Sequence, residues 1–304
     1  MQCIEDVRST KARFDALALT VGCFDGVHLG HQEIIRALRE EARIVGGVPA
    51  VMVIEPNPRL FFAPEHSPNI LTDLPYKKRL LEALGVEVLY VLPFDRQTAS
   101  MSPADFVDAI LVKQCGVKAV VVGHDFAFGH RAQGNYDYLK TAAARYGFRA
   151  RQVDPLIVEG ERVSSTLIRE RVVQGEVEDI ELYLGRKYTL CGTVMPGRGI
   201  GRTLGFPTAN LDIGQCCVPA HGVYAAEAVV DGRRHKAAVN IGIAPTIRGS
   251  LRLVEAHLLD FDGDLTGKAL DIVFHKHLRP EKKFASREEL TTAIARDVET
   301  VRGM

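Results

Sequence analysis

Residues 17–31 read LALTVGCFDGVHLGH: an apolar run, a loop punctuated by glycines, and two histidines. Leu17–Gly22 is predicted to be a short buried strand that ends at a glycine. After His31 the apolar residues recur at helical spacing, at Ile34, Ile35, Leu38 and Ala42. The stretch therefore predicts a strand, a tight loop and a helix that begins near Leu29.

Further strands and helices alternate along the first half of the chain. Apolar strands are predicted at 49–54, 86–92 and 117–122, and helices at 103–111 and 136–146. This alternation is typical of an α/β domain whose parallel sheet is covered on both faces. Ligands bind such sheets beyond the carboxyl ends of the strands. We therefore expect the loops after Val21, Ile54 and Val122 to share one site.

The pattern changes after about Leu184. Short apolar strands are separated there by turn residues, at 188–194, 222–230, 236–241, 254–259 and 269–274. Asp231-Gly232 predicts a hairpin turn, and Ser286 with Glu289 predicts the capped start of a last helix. These features indicate a compact antiparallel barrel. We expect two domains, residues 1–183 and 184–304.

Composition narrows the class of protein. The 304 residues carry a formal net charge of zero, so no global basic field would attract nucleic acid or an anionic membrane. Six cysteines without a C-x-x-C pair indicate reduced thiols in a cytoplasmic protein. Neither a signal peptide nor an 18-residue apolar run is visible. The oligomeric state stays open, with a homo-oligomer as one alternative.

The loop before the first helix has the features of a phosphate site. Gly22, Gly26 and Gly30 permit tight turns and close approach of a ligand. The following helix presents its N–H groups and positive end to an anion. His28 and His31 are three residues apart, so both rings can reach one side of the helix end. The alternatives are a structural loop with a surface histidine pair, and a zinc site.

The same loop resembles a known signature. GCFDGVHLGHQ is similar to the H-x-G-H motif of nucleotidyltransferases, and its flanks resemble bacterial bifunctional riboflavin kinase/FAD synthetases. The resemblance continues through EPNP (55–58), GHDFAFG (123–129) and SSTLIR (164–169). It implies a Rossmann-like parallel-sheet domain that converts FMN and ATP into FAD and pyrophosphate. Cys23 stands where asparagine is usual, and sensitivity to thiol reagents is a hypothesis that follows.

The resemblance implies roles for individual residues of this half. His28 and His31 would be catalytic and hold ATP phosphates. The other implied ATP-binding residues are Gly22, Phe24, Asp25, Gly30, Ser164, Ser165, Thr166 and Arg169. The implied flavin-binding residues are Asn57, Asp125, Phe126 and Phe128. A simple helix N-cap before Leu167 is the alternative for the serine pair, and it is compatible with anion binding.

The densest motif of the second half is GRGIGRTLGFPTAN, residues 197–210. Its glycines suit a flexible loop over phosphates, and Arg198 and Arg202 supply positive charge. Thr208 and Asn210 lie on one face of an extended segment, where oxygen ligands suit Mg²⁺. The alternative is a disordered surface turn.

Residues 207–210 (PTAN) resemble the motif of riboflavin kinases, and further matches run to the chain end. The resemblance implies a six-stranded barrel that binds riboflavin and MgATP. Glu255 would be the base that deprotonates the riboflavin hydroxyl, and Thr208 and Asn210 would bind Mg²⁺. The implied ATP-binding residues are Gly197, Gly199, Arg202 and Thr208, and the implied flavin-binding residues are Asn240, Arg279 and Glu281.

The sequence therefore predicts a bifunctional enzyme that uses riboflavin, FMN and ATP as substrates, with Mg²⁺. Two other functions remain as alternatives. One is a related nucleotidyltransferase that acts on another phosphorylated alcohol. The other is a flavin-binding or sensing protein that has lost one or both activities.

Overall fold

The chain divides into two compact units. The computed structural model describes residues 1–62, 69–197, 199–246 and 249–304. Arg198, to which the sequence assigns positive charge, lies outside the described residues. One unit comprises Met1–Pro68 and Leu74–Val163, and the other comprises Asn69–Asp73 and Ser164–Met304. We call them the N-terminal and C-terminal units.

The described part of the N-terminal unit contains a six-stranded parallel sheet. Its strands are β1 Gln2–Ile4, β2 Leu17–Gly22, β3 Val48–Glu55, β4 Val88–Pro93, β5 Val117–Gly123 and β6 Arg149–Val153. They lie in the order β1-β4-β3-β2-β5-β6, and every pair is parallel. The predicted α/β class is confirmed. A separate two-stranded hairpin joins β7 Ile157–Val158 to β8 Glu161–Arg162.

Helices connect these strands. They are α1 Leu29–Val45, α2 Pro58–Phe62, α3 Leu74–Ala83, α4 Arg96–Ser100, α5 Pro103–Asp105 and α6 Tyr136–Tyr146. The helix predicted at 103–111 begins as α5 and continues as a π-helix, Phe106–Gln114. The Cys115 N–H donates to the Ile110 carbonyl, five residues back. The periodic pattern therefore located this helix but did not reveal its wider turn.

Both faces of the sheet are buried. Leu17, Leu19 and Val21 belong to a core on one face, together with residues of the π-helix and α6. Ala18 and the buried face of α1, including Leu38, form the core on the other face. Alternating residues of one strand thus enter two cores, as the continuous apolar runs predict.

The C-terminal unit contains a closed antiparallel barrel, as predicted. Its six strands within the described residues are β9 Thr189–Met195, β10 Ala209–Asp212, β11 Gly222–Val230, β12 Arg233–Thr246, β13 Gly249–Leu258 and β14 Ala269–Arg279. They close in the order β10-β13-β12-β11-β14-β9. Asp231 and Gly232 form the predicted hairpin turn with positive φ. β10 belongs to the PTAN segment and is too short to give a periodic signal.

Helices flank the barrel. They are α7 Ser165–Gln174, α8 Glu181–Leu184, α9 Ile200–Thr203 and α10 Arg287–Gly303. Ser286 caps α10 by accepting from the Glu289 N–H, and Glu289 in turn accepts from the Ala285 N–H. α10 packs through Val298 and Val301 on a cluster that includes Ala225 and Leu259. Tyr224, Val239, Val254 and Phe274 are almost fully buried, and they alternate with the residues that face outward.

Candidate active sites

The loop between β2 and α1 has a constrained backbone. Phe24 and Val27 both have positive φ, 48° and 42°, which is rare for a β-branched residue such as valine. Their side chains are buried in the core beneath α1, and this burial holds the unfavourable conformation in place. Phe24 therefore shapes the loop, and its ring covers the position where a Cβ on Gly22 would lie. Asp25 is also buried.

His28 is the N-cap of α1. Its Nδ1 accepts a hydrogen bond from the His31 N–H at 3.3 Å, so the neutral ring carries its hydrogen on Nε2. A Cβ on Gly30 would lie 3.2 Å from Nδ1 and Cε1 of this ring. The His28 and His31 rings stack, with centroids 3.6 Å apart and planes 17° apart. The predicted placement of both rings at one helix end is confirmed.

An aromatic cavity of about 640 Å³ lies at the carboxyl edge of the sheet. Val21, Ile54 and Leu92 contribute the ends of β2, β3 and β4, and residues 126–132 follow β5. The loops after Ile54 and Val122 therefore meet as expected, whereas the loop after Val21 contributes no residue of 22–31 to this cavity. Six phenylalanines line the cavity: Phe61, Phe62, Phe94, Phe106, Phe126 and Phe128. Such a slot suits a planar aromatic ligand.

Only two of these phenylalanines were predicted from the sequence. Phe126 and Phe128 stack at 5.2 Å, and Phe128 is buried. Phe61 packs edge-on against Phe94 at 5.4 Å, whereas Phe62 is 67% exposed. The signal available in the sequence was the Phe61-Phe62 pair, which follows EPNP after two intervening residues. Phe94 carried no local signal because it joins the cluster through the fold.

Asn57 and Asp125 do not belong to the wall of this cavity. Asn57 Oδ1 accepts from the Arg59 N–H at 3.0 Å, where α2 begins. Asp125 is exposed and pairs with Arg162 at the end of β8. Both residues still lie in loops that follow the carboxyl ends of the sheet strands, β3 and β5.

The sequence did not single out a buried ion pair in the N-terminal unit. Lys77 on α3 is only 3% exposed, and its Nζ lies 2.6 Å from Oε1 of Glu55 at the end of β3. A charged lysine at such depth requires a partner of this kind. Glu55 belongs to the EPNP segment, but Lys77 lies in an ordinary amphipathic helix and gives no local signal.

Cys23 lies close to this pair, and burial raises the pKa of its thiol to about 11, although the Lys77 charge acts in the opposite direction. The reactive species of a cysteine is the thiolate. Near neutral pH the thiolate population of Cys23 is therefore very small, which argues against ready modification by thiol reagents.

In the C-terminal unit, Ser164 caps α7. Its Oγ accepts from the Leu167 N–H at 3.2 Å, which confirms the capping alternative. Ser165 and Arg169 are half-buried and Thr166 is exposed, all within the first turns of the helix. The same end presents backbone N–H groups, so capping and anion binding are compatible.

The barrel carries a row of residues across adjacent strands that is polar at every position except Val223. Asn210 of β10 pairs in register with Glu255 of β13, and Glu255 pairs with Asn240 of β12. The row continues through Val223 of β11 to Arg279 of β14. Paired residues of neighbouring strands point to the same face. All five line one cavity of about 1320 Å³ on the outside of the barrel.

A glycine-rich loop covers the Asn210 end of this row. A Cβ on Gly197 would overlap the Asn210 amide, and a Cβ on Gly201 would lie 3.2 Å from Thr208 Oγ1. Gly197, Gly199, Gly201, Thr208 and Asn210 all line the cavity. The segment is ordered in part as α9 and is not a wholly disordered turn. Arg202 is exposed beside the cavity and does not belong to its lining.

The opposite end of the row is fixed by ion pairing. Arg279 bonds Asp297 of α10 through two nitrogens, with Nη2 2.7 Å from Oδ2 and Nε 3.0 Å from Oδ1. The guanidinium also lies over the Phe284 ring, 5.6 Å from its centroid. Glu281 lies against Gly242, where a Cβ would be 2.7 Å from its Oε1. The side chains predicted to bind flavin thus surround the same cavity as Glu255.

Comparison with known proteins identifies the family. The FAD synthetase family matches residues 10–167, and the riboflavin kinase family matches residues 184–304. A bifunctional riboflavin kinase/FMN adenylyltransferase of Pseudomonas fluorescens is 39% identical over 305 residues, covering 100% of this chain and 98% of that protein. The chain belongs to this bifunctional family. The Escherichia coli K12 member is 38% identical, with 96% of this chain and 94% of that protein covered.

Solved structures show the same fold. A crystal structure titled as a macrolide-efflux protein from Streptococcus pneumoniae matches with a TM-score of 0.88 and 29% identity, covering all of both chains. None of the described helices combines the length and apolar character that crossing a bilayer requires. The Bacillus subtilis member of the bifunctional family is 36% identical over 92% of this chain.

Proposed function

We propose that the chain phosphorylates riboflavin to FMN in its C-terminal part, residues 184–304, and adenylylates FMN to FAD in residues 1–183. The observation that carries the proposal is the barrel row, in which a carboxylate adjoins an amide ligand beneath a glycine-rich loop. The two family matches support the same division, because they cover residues 10–167 and 184–304 separately.

Glu255 acts as the base in the first reaction. An alcohol is a weak nucleophile, so a positioned carboxylate must accept its proton as the oxygen attacks the γ-phosphorus of ATP and ADP leaves. Thr208 and the glycines of the 197–201 segment hold the phosphates. Asn240, Arg279 and Glu281 line the flavin side of the cavity. The ion pair with Asp297 holds the Arg279 guanidinium in place before substrate binds. The guanidinium can therefore orient the substrate without changing its own position.

The donor set of the barrel site fits Mg²⁺. Thr208 offers a hydroxyl oxygen and Asn210 an amide oxygen, and the glycine-rich loop packs against both side chains. Hard cations of this kind bind a few protein oxygens together with substrate phosphates. A bound Mg²⁺ would neutralise charge on the transferring phosphate. Among the described residues no group of three or more His, Cys, Asp or Glu could hold a metal ion, so the proposed site depends on hydroxyl and amide ligands.

The second reaction needs no strong base, because the FMN phosphate is already a nucleophile. Its oxygen attacks the α-phosphorus of ATP, and pyrophosphate leaves. His28 donates through Nε2 and His31 lies stacked beside it, so both rings can stabilise the developing charge. The aromatic cavity receives the planar flavin ring. The resemblance also assigns Ser164, Ser165, Thr166 and Arg169 to ATP, and the helix start that they form presents hydroxyls and backbone N–H groups that suit an anion.

The proposed substrates are riboflavin, FMN and ATP. The proposed location of the protein is the cytoplasm. All six cysteines are thiols in the structure, which suits a reducing compartment. The balanced net charge supports a small-molecule enzyme rather than a partner of nucleic acid or membrane.

Product analysis after mixing the protein with riboflavin, ATP and Mg²⁺ tests the proposal. FMN followed by FAD is expected. FMN alone would show that residues 1–183 do not adenylylate FMN, and bound flavin without turnover would favour the sensing alternative. No reaction with either flavin, but turnover of another phosphorylated alcohol, would favour the related nucleotidyltransferase.

Two substitutions test the division of labour. Glu255→Gln should lower riboflavin phosphorylation by about 10²–10⁴-fold and leave FMN adenylylation unchanged. His28→Ala should have the opposite effect. Glu227→Gln, on β11 and paired with Arg234 outside the cavity lining, is the control for loss of a barrel carboxylate. If either site variant stopped both reactions equally while remaining folded, the two-site division would be wrong.

A further inference from the structure

His257 lies on β13 two residues after Glu255, and both side chains line the barrel cavity. Its Nδ1 is 2.7 Å from the carbonyl oxygen of Pro207. A carbonyl oxygen can only accept, so the His257 ring donates from Nδ1. Pro207 directly precedes Thr208, the first of the two proposed Mg²⁺ and phosphate ligands. The hydrogen bond therefore joins the strand that carries the proposed base to the segment that carries these ligands.

This bond occurs where the strand ladder stops. The pairing of β10 with β13 begins at Ala209, which is opposite Ala256. Pro207 lacks an N–H and cannot extend the ladder on the other side of Thr208. The side chain of His257 thus supplies the connection that the backbone cannot make. This hydrogen bond ties residues 206–208 to β13 ahead of the first pair of the ladder.

A second contact holds the same segment from the loop side. The Phe206 ring packs edge-on against the His257 ring, with centroids 5.6 Å apart. The Phe206 N–H donates to the Gly201 carbonyl at 2.9 Å, so the glycine-rich loop closes on the residue that contacts His257. The ring of His257 thus makes a hydrogen bond to Pro207 and an aromatic contact with Phe206, the two residues immediately before Thr208.

We propose that His257 is a positioning residue for riboflavin phosphorylation. It fixes residues 206–208 against β13, so that Thr208 and Asn210 face the ATP phosphates at the correct distance from Glu255. The inference rests on the proposed function of the barrel. A misplacement of about 1 Å in such a site can reduce the rate by about 10²-fold. His257 itself acts through the Pro207 carbonyl and moves no proton.

Two variants distinguish the effect of the hydrogen bond to Pro207 from the effect of the volume of the His257 ring. In His257→Asn the amide nitrogen occupies nearly the place of Nδ1 and can still donate to Pro207. His257→Leu keeps an apolar side chain of moderate size but has no donor. We expect His257→Leu to raise the KM for MgATP about 10-fold and to lower kcat about 10–100-fold. His257→Asn should restore both constants to within a few-fold of the wild type.

Adenylylation of FMN by the same preparations is the internal control, and it should be unchanged in both variants. An unchanged kinase reaction in His257→Leu would overturn the inference, and so would an equal loss in both variants. If His257→Leu does not fold, His257→Gln, which displaces the donor from the Nδ1 position, replaces it in the comparison. Wild-type protein that formed no FMN would instead overturn the proposed function.

The pH dependence of kcat/KM distinguishes a histidine that positions the site from one that transfers a proton. Both the neutral Nδ1–H ring and the imidazolium can donate to Pro207. The ratio of wild-type to His257→Asn kcat/KM should therefore be constant over roughly pH 5 to 8. A ratio that falls steeply with acid would show that His257 accepts a proton and would contradict the positioning role.

Discussion

Gly30 controls the geometry of the histidine pair by having no side chain. The His28 ring is confined between the backbone of Gly30 and the stacked ring of His31. A methyl group at residue 30 would lie 3.2 Å from the His28 ring, and the ring has little space to retreat. We expect this change to disturb the orientation of the His28 imidazole and not to weaken the helix, because alanine is favoured over glycine in a helix by about 1 kcal/mol.

Gly30→Ala should therefore lower FMN adenylylation by about 10–100-fold while changing the free energy of unfolding by no more than about 1 kcal/mol. Riboflavin phosphorylation should be unaffected. Gly303→Ala, where an added Cβ meets nothing within 4 Å, is the control for the exchange of glycine for alanine. Adenylylation at the wild-type rate in Gly30→Ala would mean that the stacked arrangement is not needed for the reaction.

Cys23 should react slowly with iodoacetamide in the native protein. Burial raises the pKa of its thiol to about 11, so the thiolate fraction at pH 8 is about 10⁻³. Cys3 is exposed and serves as the internal comparison. Mass spectrometry of timed samples should show Cys3 labelled first, and labelling of Cys23 should accelerate as the pH approaches 11. Equal labelling of the two thiols at pH 8 would contradict the assigned burial effect.

One ion pair connects α3 to the end of β3. Lys77→Met should destabilise the N-terminal unit by about 2 kcal/mol, because Glu55 keeps its charge and loses its partner. The figure is lower than for a fully buried pair because the Glu55 side chain is 28% exposed. Urea unfolding measures the loss. The double variant Glu55→Gln, Lys77→Met should cost less than the sum of the single changes, and strict additivity would show that the pair contributes no coupling.

The contacts of Arg8 with two aspartates should make the stability of the N-terminal unit depend on pH. Arg8 bonds Asp6 and also Asp95, the N-cap of α4, and these contacts lower the pKa of both carboxyls. The Thr98 N–H is the larger cause at Asp95. Because the folded pKa values lie below the unfolded ones, the stabilisation is present above the unfolded pKa of about 4. It is lost as the pH falls through the folded values.

The measurement is the unfolding free energy of the wild type and of Asp6→Asn between pH 2 and 6, roughly the range that spans the titration of an aspartate. The wild type should lose stability more steeply than the variant as the pH falls below about 4. Parallel curves would show that Asp6 contributes no acid dependence. Asp15→Asn, for which no contact with Arg8 exists among the described hydrogen bonds, is the matched control.

Asn69–Asp73 belongs to the C-terminal unit although it lies within the first quarter of the sequence. The Ile70 N–H donates to the Gln215 carbonyl, and the Cys217 N–H donates to the Ile70 carbonyl. Ile70→Pro removes the first of these bonds and should destabilise the C-terminal unit by about 1–3 kcal/mol. Ile70→Val keeps the N–H and is the control. Equal stability of the two variants, measured by thermal unfolding of the full chain, would contradict the structural role of this segment.

Sequence patterns located the central strands, α1, α6, the barrel hairpin and α10, because each has a period or a cap that acts locally. They did not locate β1 or β6. These strands lie at the two edges of the sheet, and Arg149–Val153 is largely polar, so no apolar run marks it. The histidine loop and the PTAN segment were recognisable as motifs. Phe94, Lys77 and His257 were not assigned to sites, because their neighbours come from distant parts of the chain.

The polar row on the barrel has a consequence for how errors in folding would affect catalysis. Asn210, Glu255 and Asn240 face outward only because their three strands align with one particular offset. Sliding β13 by a single residue would turn Glu255 into the dry interior and bring Val254 or Ala256 out to the nucleotide. A chain trapped in that arrangement would retain a barrel yet have no kinase activity. Correct strand alignment and competence for phosphoryl transfer should therefore be acquired in the same event, with no partly active barrel between them.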